Sequence, residues 1–193
     1  MRNIILHQRE ERDRLLSLPY INRQTIYPVD VLLQSPMIKL ITGPRRVGKS
    51  VFALLALKNT NFAYLNFDDN QLLTNWNEDV VMQTLNDVYP DFQYLLLDEV
   101  QNLPNWDLWV TTLYRRGYNL IITGSNARML SQEMATVLTG RYIPIAMYPF
   151  SLPETLQWYD IDPINIPLES SAKVIPIQDD YLRMGGYPEI IKT

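Results

Sequence analysis

The sequence predicts an α/β fold, a parallel sheet with helices on both faces, and three observations predict it. Strand-length apolar runs alternate with helix-patterned segments through most of the 193 residues. One strand-to-helix junction, residues 43–50, reads GPRRVGKS and matches the phosphate-binding loop pattern G-x-x-x-x-G-K-S/T. Two apolar runs end in polar residues, Asp98-Glu99 and Gly124-Ser125-Asn126, and open parallel sheets bind ligands at the carboxyl ends of their strands.

Residues 1–36 read as a helical lead-in. QREERDRLLSL (8–18) favours a helix, with Glu10 four residues before Arg14 and leucines at 15, 16 and 18 to bury. Pro28 and Pro36 bracket a short helix or turn ending at Gln34.

Residues 37–148 form the core. Met37 to Ile41 is the first strand and VFALLAL (51–57) a buried helix, the context a phosphate loop requires. FAYLNF (62–67) is the second strand, closed by a turn at Asp68-Asp69-Asn70. Asn75 and Glu78 open a helix on which Val81, Leu85 and Val88 share a face, and Pro90 closes it. FQYLLL (92–97) has the pattern of a strand buried on both sides. A polar loop, Gln101 to Asn105, leads to a helix with Trp106, Trp109, Val110 and Leu113 on one face, read as core rather than as a base-stacking platform. YNLIIT (118–123) is the fourth strand, a helix ending at Leu138 follows, and Tyr142 to Ala146 is the fifth.

Residues 149–193 read as the start of a C-terminal helical region. Ser151-Leu152-Pro153-Glu154 is a capping box with proline in the first turn. Residues 160–177 carry four prolines or Ser-Ser breaks and read as irregular; 178–184 reads as a helix stopped by Gly185-Gly186. Tyr187-Pro188-Glu189 opens a further element that the chain leaves incomplete.

The loop residues carry the chemistry. Gly43 permits the tight exit from the strand, and Gly48 lets the backbone approach a phosphate without a Cβ. Between them Pro44, Arg45, Arg46 and Val47 form the loop, whose N–H groups (all but that of Pro44, which has none) point toward an anion, and Val51 continues the helix whose N-terminus faces it. Lys49 supplies a charge for the β- and γ-phosphates, and the Ser50 hydroxyl a ligand for Mg²⁺. Asp98 is placed to hold the same Mg²⁺, and Glu99 to polarise a water for attack on the γ-phosphate. Ser125 or Asn126 stands at a strand tip where it contacts the γ-phosphate or that water. Arg141, in a turn after Gly140, is exposed for reaching a phosphate, and Arg45 and Arg46 either touch phosphate or face a partner. Together these residues point to phosphoryl transfer to water.

Composition excludes other chemistry. There is no cysteine, so neither disulfides nor thiolate metal sites arise, and the lone His7 rules out histidine metal clusters and His-based triads. A net charge of −4 argues against a broad nucleic-acid surface. No apolar run approaches the ~20 residues a membrane helix needs, and the N-terminus turns charged too early for a signal peptide. The expectation is a cytoplasmic protein with no membrane association.

GPRRVGKS, YLLLDEVQN, ITGSNARML, LTGRY and PFSLPE followed by GGYPE resemble the prokaryotic AAA+-type P-loop ATPases, whose members usually carry a C-terminal winged-helix or nuclease-like domain. The resemblance runs from residue 37 onward. It implies a P-loop NTPase three-layer sandwich with a five-stranded parallel sheet in the order 5-1-4-3-2. It implies that Asp98 and Glu99 are the Walker B pair, Ser125 or Asn126 the first sensor, and Arg141 an arginine finger or sensor arginine. Asn66, at the tip of the second strand, matches the polar position that holds the catalytic glutamate inactive in related ATPases. Homo-oligomerisation through the finger follows from the same resemblance. The expected function is an Mg²⁺-dependent ATPase domain coupling nucleotide state to conformational change. The alternative is a nucleotide-binding switch or scaffold with little hydrolysis, serving a DNA-linked C-terminal domain or a protein partner.

Overall fold

The computed structural model describes residues 1–25, 27–125, 138, 140–166 and 168–191, with the side chains of 168–171 left aside. Five strands build the sheet: β1 (Ile38–Gly43), β2 (Phe62–Asn66), β3 (Tyr94–Asp98), β4 (Leu120–Ser125) and β5 (Tyr142–Ala146). All neighbouring pairs are parallel and their order is β2-β3-β4-β1-β5. Read from the other edge this is 5-1-4-3-2, the expected order.

The pleat divides each apolar strand between two cores. Leu40, Leu65, Leu95, Leu97, Leu120 and Ile122 face one cluster, whereas Ile41, Tyr64, Leu96 and Ile121 face the other. The first is covered by α1 (Arg2–Leu16), α4 (Asn70–Thr74), α5 (Glu78–Val88) and α6 (Trp106–Arg115). The second is covered by α3 (Lys49–Leu57), with α2 (Val29–Gln34) against its margin. A strand buried on both faces needs an unbroken apolar run, which is why YLLL lacks polar alternation. Trp109 and Trp106 are buried, and Trp109 meets Trp76 edge to face at 4.9 Å, so these aromatics are core.

Three elements differ from the sequence reading. Helix α1 begins at Arg2 instead of residue 8, because Ile5 inserts fully into the first core and Gln8 bonds the Asn66 backbone through both amide ends. The Asp68-Asp69-Asn70 turn continues as α4: Asp69 caps it through the N–H groups of Gln71 and Leu72, and Leu72 is fully buried. Residues 160–177 are not irregular throughout, since a helix spans Leu168–Met184 with Pro176 inside. Pro176 is exposed, so water replaces the donor that proline removes. That helix is α8; α7 is Leu152–Trp158, with the expected capping box, and α9 is Pro188–Ile191. The helix expected before Leu138 lies outside the described residues.

Candidate functional site

Parallel strands bring all their carboxyl ends to one edge. Gly43 pairs in register with Ser125, and Asn66 with Asp98, so the tips of β1, β4, β2 and β3 meet along one crevice. The loop 43–48 leaves β1 there and returns as α3. A Cβ on Gly43 would stand 2.2 Å from the Met147 carbonyl oxygen, so the position admits only glycine. Gly48 has φ 90 and forms the N-cap of α3, leaving the first N–H groups of that helix to face the crevice.

Lys49 is buried, yet its ammonium finds two oxygen partners. It donates to the Pro44 carbonyl at 3.1 Å and lies 3.4 Å from Glu99 Oε1. Ser50 Oγ donates to Asp98 Oδ1 at 2.8 Å. Thr123 Oγ1 donates to the same oxygen, and the Tyr64 hydroxyl to Asp98 Oδ2 at 3.2 Å. Burial pushes the Asp98 carboxyl above the usual range, and the hydroxyls of Thr123, Ser50 and Tyr64 offset only part of that. Ser50 and Asp98 form a hard-oxygen pair with a single carboxylate. This suits Mg²⁺, which takes one or two carboxylates and completes its shell with water and phosphate. Among the described residues no cluster of three or more His, Asp or Glu side chains offers an alternative metal site.

Glu99 is in the left-handed region, φ 51, and this turn aims its side chain back toward β4. Its N–H donates to Thr123 Oγ1 at 3.0 Å. Its carboxylate accepts from Gln101 Nε2 at 2.5 Å and from the Ser125 N–H at 3.2 Å. Burial pushes Glu99 up, but Gln101, Lys49 and Ser125 together outweigh it and hold the carboxyl below the usual range. Two adjacent carboxyls are thus driven apart, Asp98 upward and Glu99 downward, by different surroundings.

The structure gathers Gly43, Gly48, Lys49, Ser50, Asp98, Glu99 and Ser125 at one edge. Asn126 lies outside the described residues. Asn66 reaches the same edge, but its Oδ1 accepts from the Asp68 N–H at 2.9 Å, closing its own turn instead of meeting Glu99. Arg45 is exposed; Arg46, at φ 68, is exposed and donates to Glu189 of α9 at 3.0 Å. Arg141 stands at the opposite edge. Its carbonyl accepts from Ile38, the first residue of β1, at 2.9 Å. From there to the loop is roughly 16 Å, five residues at ~3.3 Å each. An arginine side chain does not span that, so within one chain Arg141 and the phosphate loop stand apart.

Arg23 escaped the sequence reading. Its guanidinium donates to the Val47 carbonyl at 2.7 Å, the Tyr148 carbonyl at 2.6 Å and Glu154 Oε1 at 2.9 Å, and lies 4.7 Å from the Phe150 ring centroid. It ties the lead-in to the phosphate loop and to α7 at once. Beside it a cavity of about 70 Å³ is walled by Tyr20, Ile21, Val51, Leu55, Phe150 and Trp158, with Gly48 at its rim. Gln101 was also missed. Its only sequence signal is an amide two residues after an acidic pair.

Residues 35–156 match the sequence model of a family described as AAA domain. An uncharacterized protein of Methanocaldococcus jannaschii is 30% identical over 173 residues, covering 84% of this chain and 38% of that protein. An uncharacterized protein of Haemophilus influenzae is 34% identical over 169 residues, covering 80% of this chain and 40% of that protein. The chain therefore spans about two fifths of the length of these curated relatives. Among solved structures, AMPPCP-bound DnaA from Aquifex aeolicus aligns over 95% of this chain and 56% of its own, with TM-score 0.50 and 17% identity. A signal transduction ATPase with numerous domains and a tetratricopeptide repeat sensor, from Pyrococcus horikoshii, aligns over 91% and 30%, with TM-score 0.51 and 13% identity. At these identities the structural likeness speaks for the fold alone.

Proposed function

The chain belongs to the AAA domain family, a nucleotide-binding ATPase-like fold, and from that premise we propose that it hydrolyses ATP with Mg²⁺ and passes its nucleotide state to the C-terminal helices. One observation carries the reading: Glu99 lies 3.4 Å from Lys49 while Ser50 lies 2.8 Å from Asp98, so a base, a phosphate-binding cation and a metal pair share one crevice. The N–H groups of the loop and Lys49 hold the β- and γ-phosphates. Ser50 and Asp98 hold Mg²⁺, which when bound neutralises phosphate charge. Glu99 accepts a proton from the attacking water, and Ser125 supports that carboxylate through its N–H.

Coupling rests on two contacts. Arg23 binds the loop carbonyl of Val47 and Glu154 of α7 together, and Arg46 reaches Glu189 of α9. A phosphate that shifts the loop therefore pulls on α7 and α9. Phosphate release by wild type and Glu99→Gln tests the hydrolysis. The variant is expected to be slower by about 10²–10⁴-fold, the range for loss of a general base; equal rates overturn the reading.

Arg141 favours a second reading for the isolated chain. It stands at the start of β5, at the far edge of the sheet from the phosphate loop, so an arginine on the phosphates would come from a neighbouring copy, and a single chain acts as a nucleotide-binding switch with little turnover until copies assemble.

A further inference from the structure

Gln101 lies in the 3-10 turn Val100–Asn102 that leaves β3. Its amide nitrogen donates to Glu99 Oε2 at 2.5 Å and lies 3.4 Å from Ser125 Oγ. These contacts decide which way round the amide sits. Reversed, its oxygen would face a carboxylate oxygen, acceptor against acceptor. The oxygen is therefore on the other arm of the amide. There it is shielded from solvent, and among the described residues nothing donates to it. A buried acceptor without a donor is costly and uncommon in folded proteins, and a role in catalysis is one of the few reasons to keep one. Glu99 points the same way. A carboxylate has about four acceptor sites, and Lys49, Gln101 and the Ser125 N–H occupy three of them.

Resting on the hydrolysis proposed above, we infer that Gln101 is a catalytic residue that orients the attacking water. Its nitrogen holds Glu99 and Ser125, and its Oε1 accepts a hydrogen from that water. Water brings two hydrogens to the site. One leaves as a proton to the remaining acceptor site of Glu99. The other stays on the oxygen and is held by Gln101 Oε1. The oxygen lone pair left between these two contacts forms the new bond to the γ-phosphorus. The bond from that phosphorus to the β–γ bridging oxygen breaks, and its electron pair leaves on ADP. Glu99 then returns its proton to solvent, so ATP and water become ADP, phosphate and a proton.

The test compares wild type, Gln101→Met and Glu99→Gln in this chain. Methionine has nearly the shape of glutamine and none of its hydrogen-bonding groups. Phosphate release from Mg-ATP is measured beside the binding of ADP with and without fluoroaluminate, which mimics the phosphoryl group in flight. Gln101→Met is expected to lower kcat roughly a hundredfold, as for loss of one preorganised polar contact, with KM and ADP affinity near wild type. The tightening that fluoroaluminate brings to ADP binding disappears with it. Where turnover of the isolated chain is below detection, the fluoroaluminate measurement decides alone. If Gln101→Met no longer binds ADP, Gln101→Asn, with an amide one methylene short, takes its place under the same expectations. A wild-type kcat or wild-type fluoroaluminate binding overturns the inference. A kcat above wild type also overturns it, by assigning Gln101 to restraint of Glu99. If Glu99→Gln is as fast as wild type, hydrolysis at this site fails instead; a slow Glu99→Gln beside a fast Gln101→Met removes only the role of Gln101.

Discussion

Tyr64 and Asp98 meet in the interior of the sheet, where the tyrosine hydroxyl donates to Asp98 Oδ2 at 3.2 Å. Tyr64 is 1% exposed and Asp98 3%, so neither has water as a substitute partner. Burial raises the hydroxyl pKa well above the tyrosine range, with the Asp98 charge adding to it, so Tyr64 stays a donor at every working pH. It holds the carboxylate that faces Ser50 on its other oxygen.

Tyr64→Phe is therefore expected to destabilise the chain by about 1.5–3 kcal/mol, the range for a hydrogen bond to a charged group. Urea unfolding measures this. The loss should shrink when Asp98→Asn is already present, because the interaction is shared by the two residues.

Asp98→Asn is expected to act in the opposite direction. A carboxyl whose folded pKa is raised binds its proton more tightly folded than unfolded, so stability is lost as pH rises from the ordinary value through the raised one. At neutral pH the charged, buried Asp98 is a cost. Removing the charge is expected to raise Tm by about 2–4 °C per ~1 kcal/mol gained, for a chain of this size. Mg²⁺-supported nucleotide binding should fall in the same protein. Calorimetry without Mg²⁺, beside nucleotide titration with it, checks both halves.

Arg23→Ala is expected to cost about 3–5 kcal/mol, the range for leaving one partner of a buried ion pair unpaired. The pair is tight, at 2.9 Å with both side chains under 10% exposed. Arg23→Lys should rescue little, because one ammonium cannot reach three acceptors on separate elements. The acid limb of stability offers a second readout. Burial pushes Glu154 up, but the N–H groups of Ser151 and Gln24 together with Arg23 outweigh it and lower its pKa. Its contribution is complete above the ordinary value of 4.5 and is lost as pH falls through the lowered folded value. Arg23→Ala should flatten that limb in unfolding curves taken across it.

Arg141→Ala should leave nucleotide affinity unchanged, since the residue stands at the edge of the sheet away from the loop. If Arg141 serves a neighbour, mixing Arg141→Ala with Glu99→Gln brings one intact base beside one intact arginine. Phosphate release by the mixture is expected to exceed that of either variant alone. A mixture no faster than its parts removes Arg141 from catalysis.

Much of the site was legible because it is local. GPRRVGKS lies within eight consecutive residues, and Asp98-Glu99 closes a run whose composition announces a strand buried on both faces. What escaped depends on distance along the chain. Arg23 meets residues 24, 125 and 131 positions away, and no spacing in the sequence marks them as neighbours. Asn66 was expected beside Glu99, but its side chain found a nearer donor, the N–H two residues on. The helix through Pro176 was read as irregular because proline opposes an interior helical position, a weight that solvent exposure reduces.

By itself the sequence determined the strand and helix types, the phosphate loop and the identity of the acidic pair, because each follows from short-range pattern and backbone sterics. Only the tertiary structure decided which of these groups share a crevice. Parallel pairing sends Gly43, Asp98 and Ser125 to one edge and Arg141 to the other, and the direction of a strand in a sheet is a property of its neighbours, not of its own residues. Burial and local partners then drove the two adjacent carboxyls apart, Asp98 upward and Glu99 downward, and those partners lie on four different elements: β2, β4, α3 and the turn after β3.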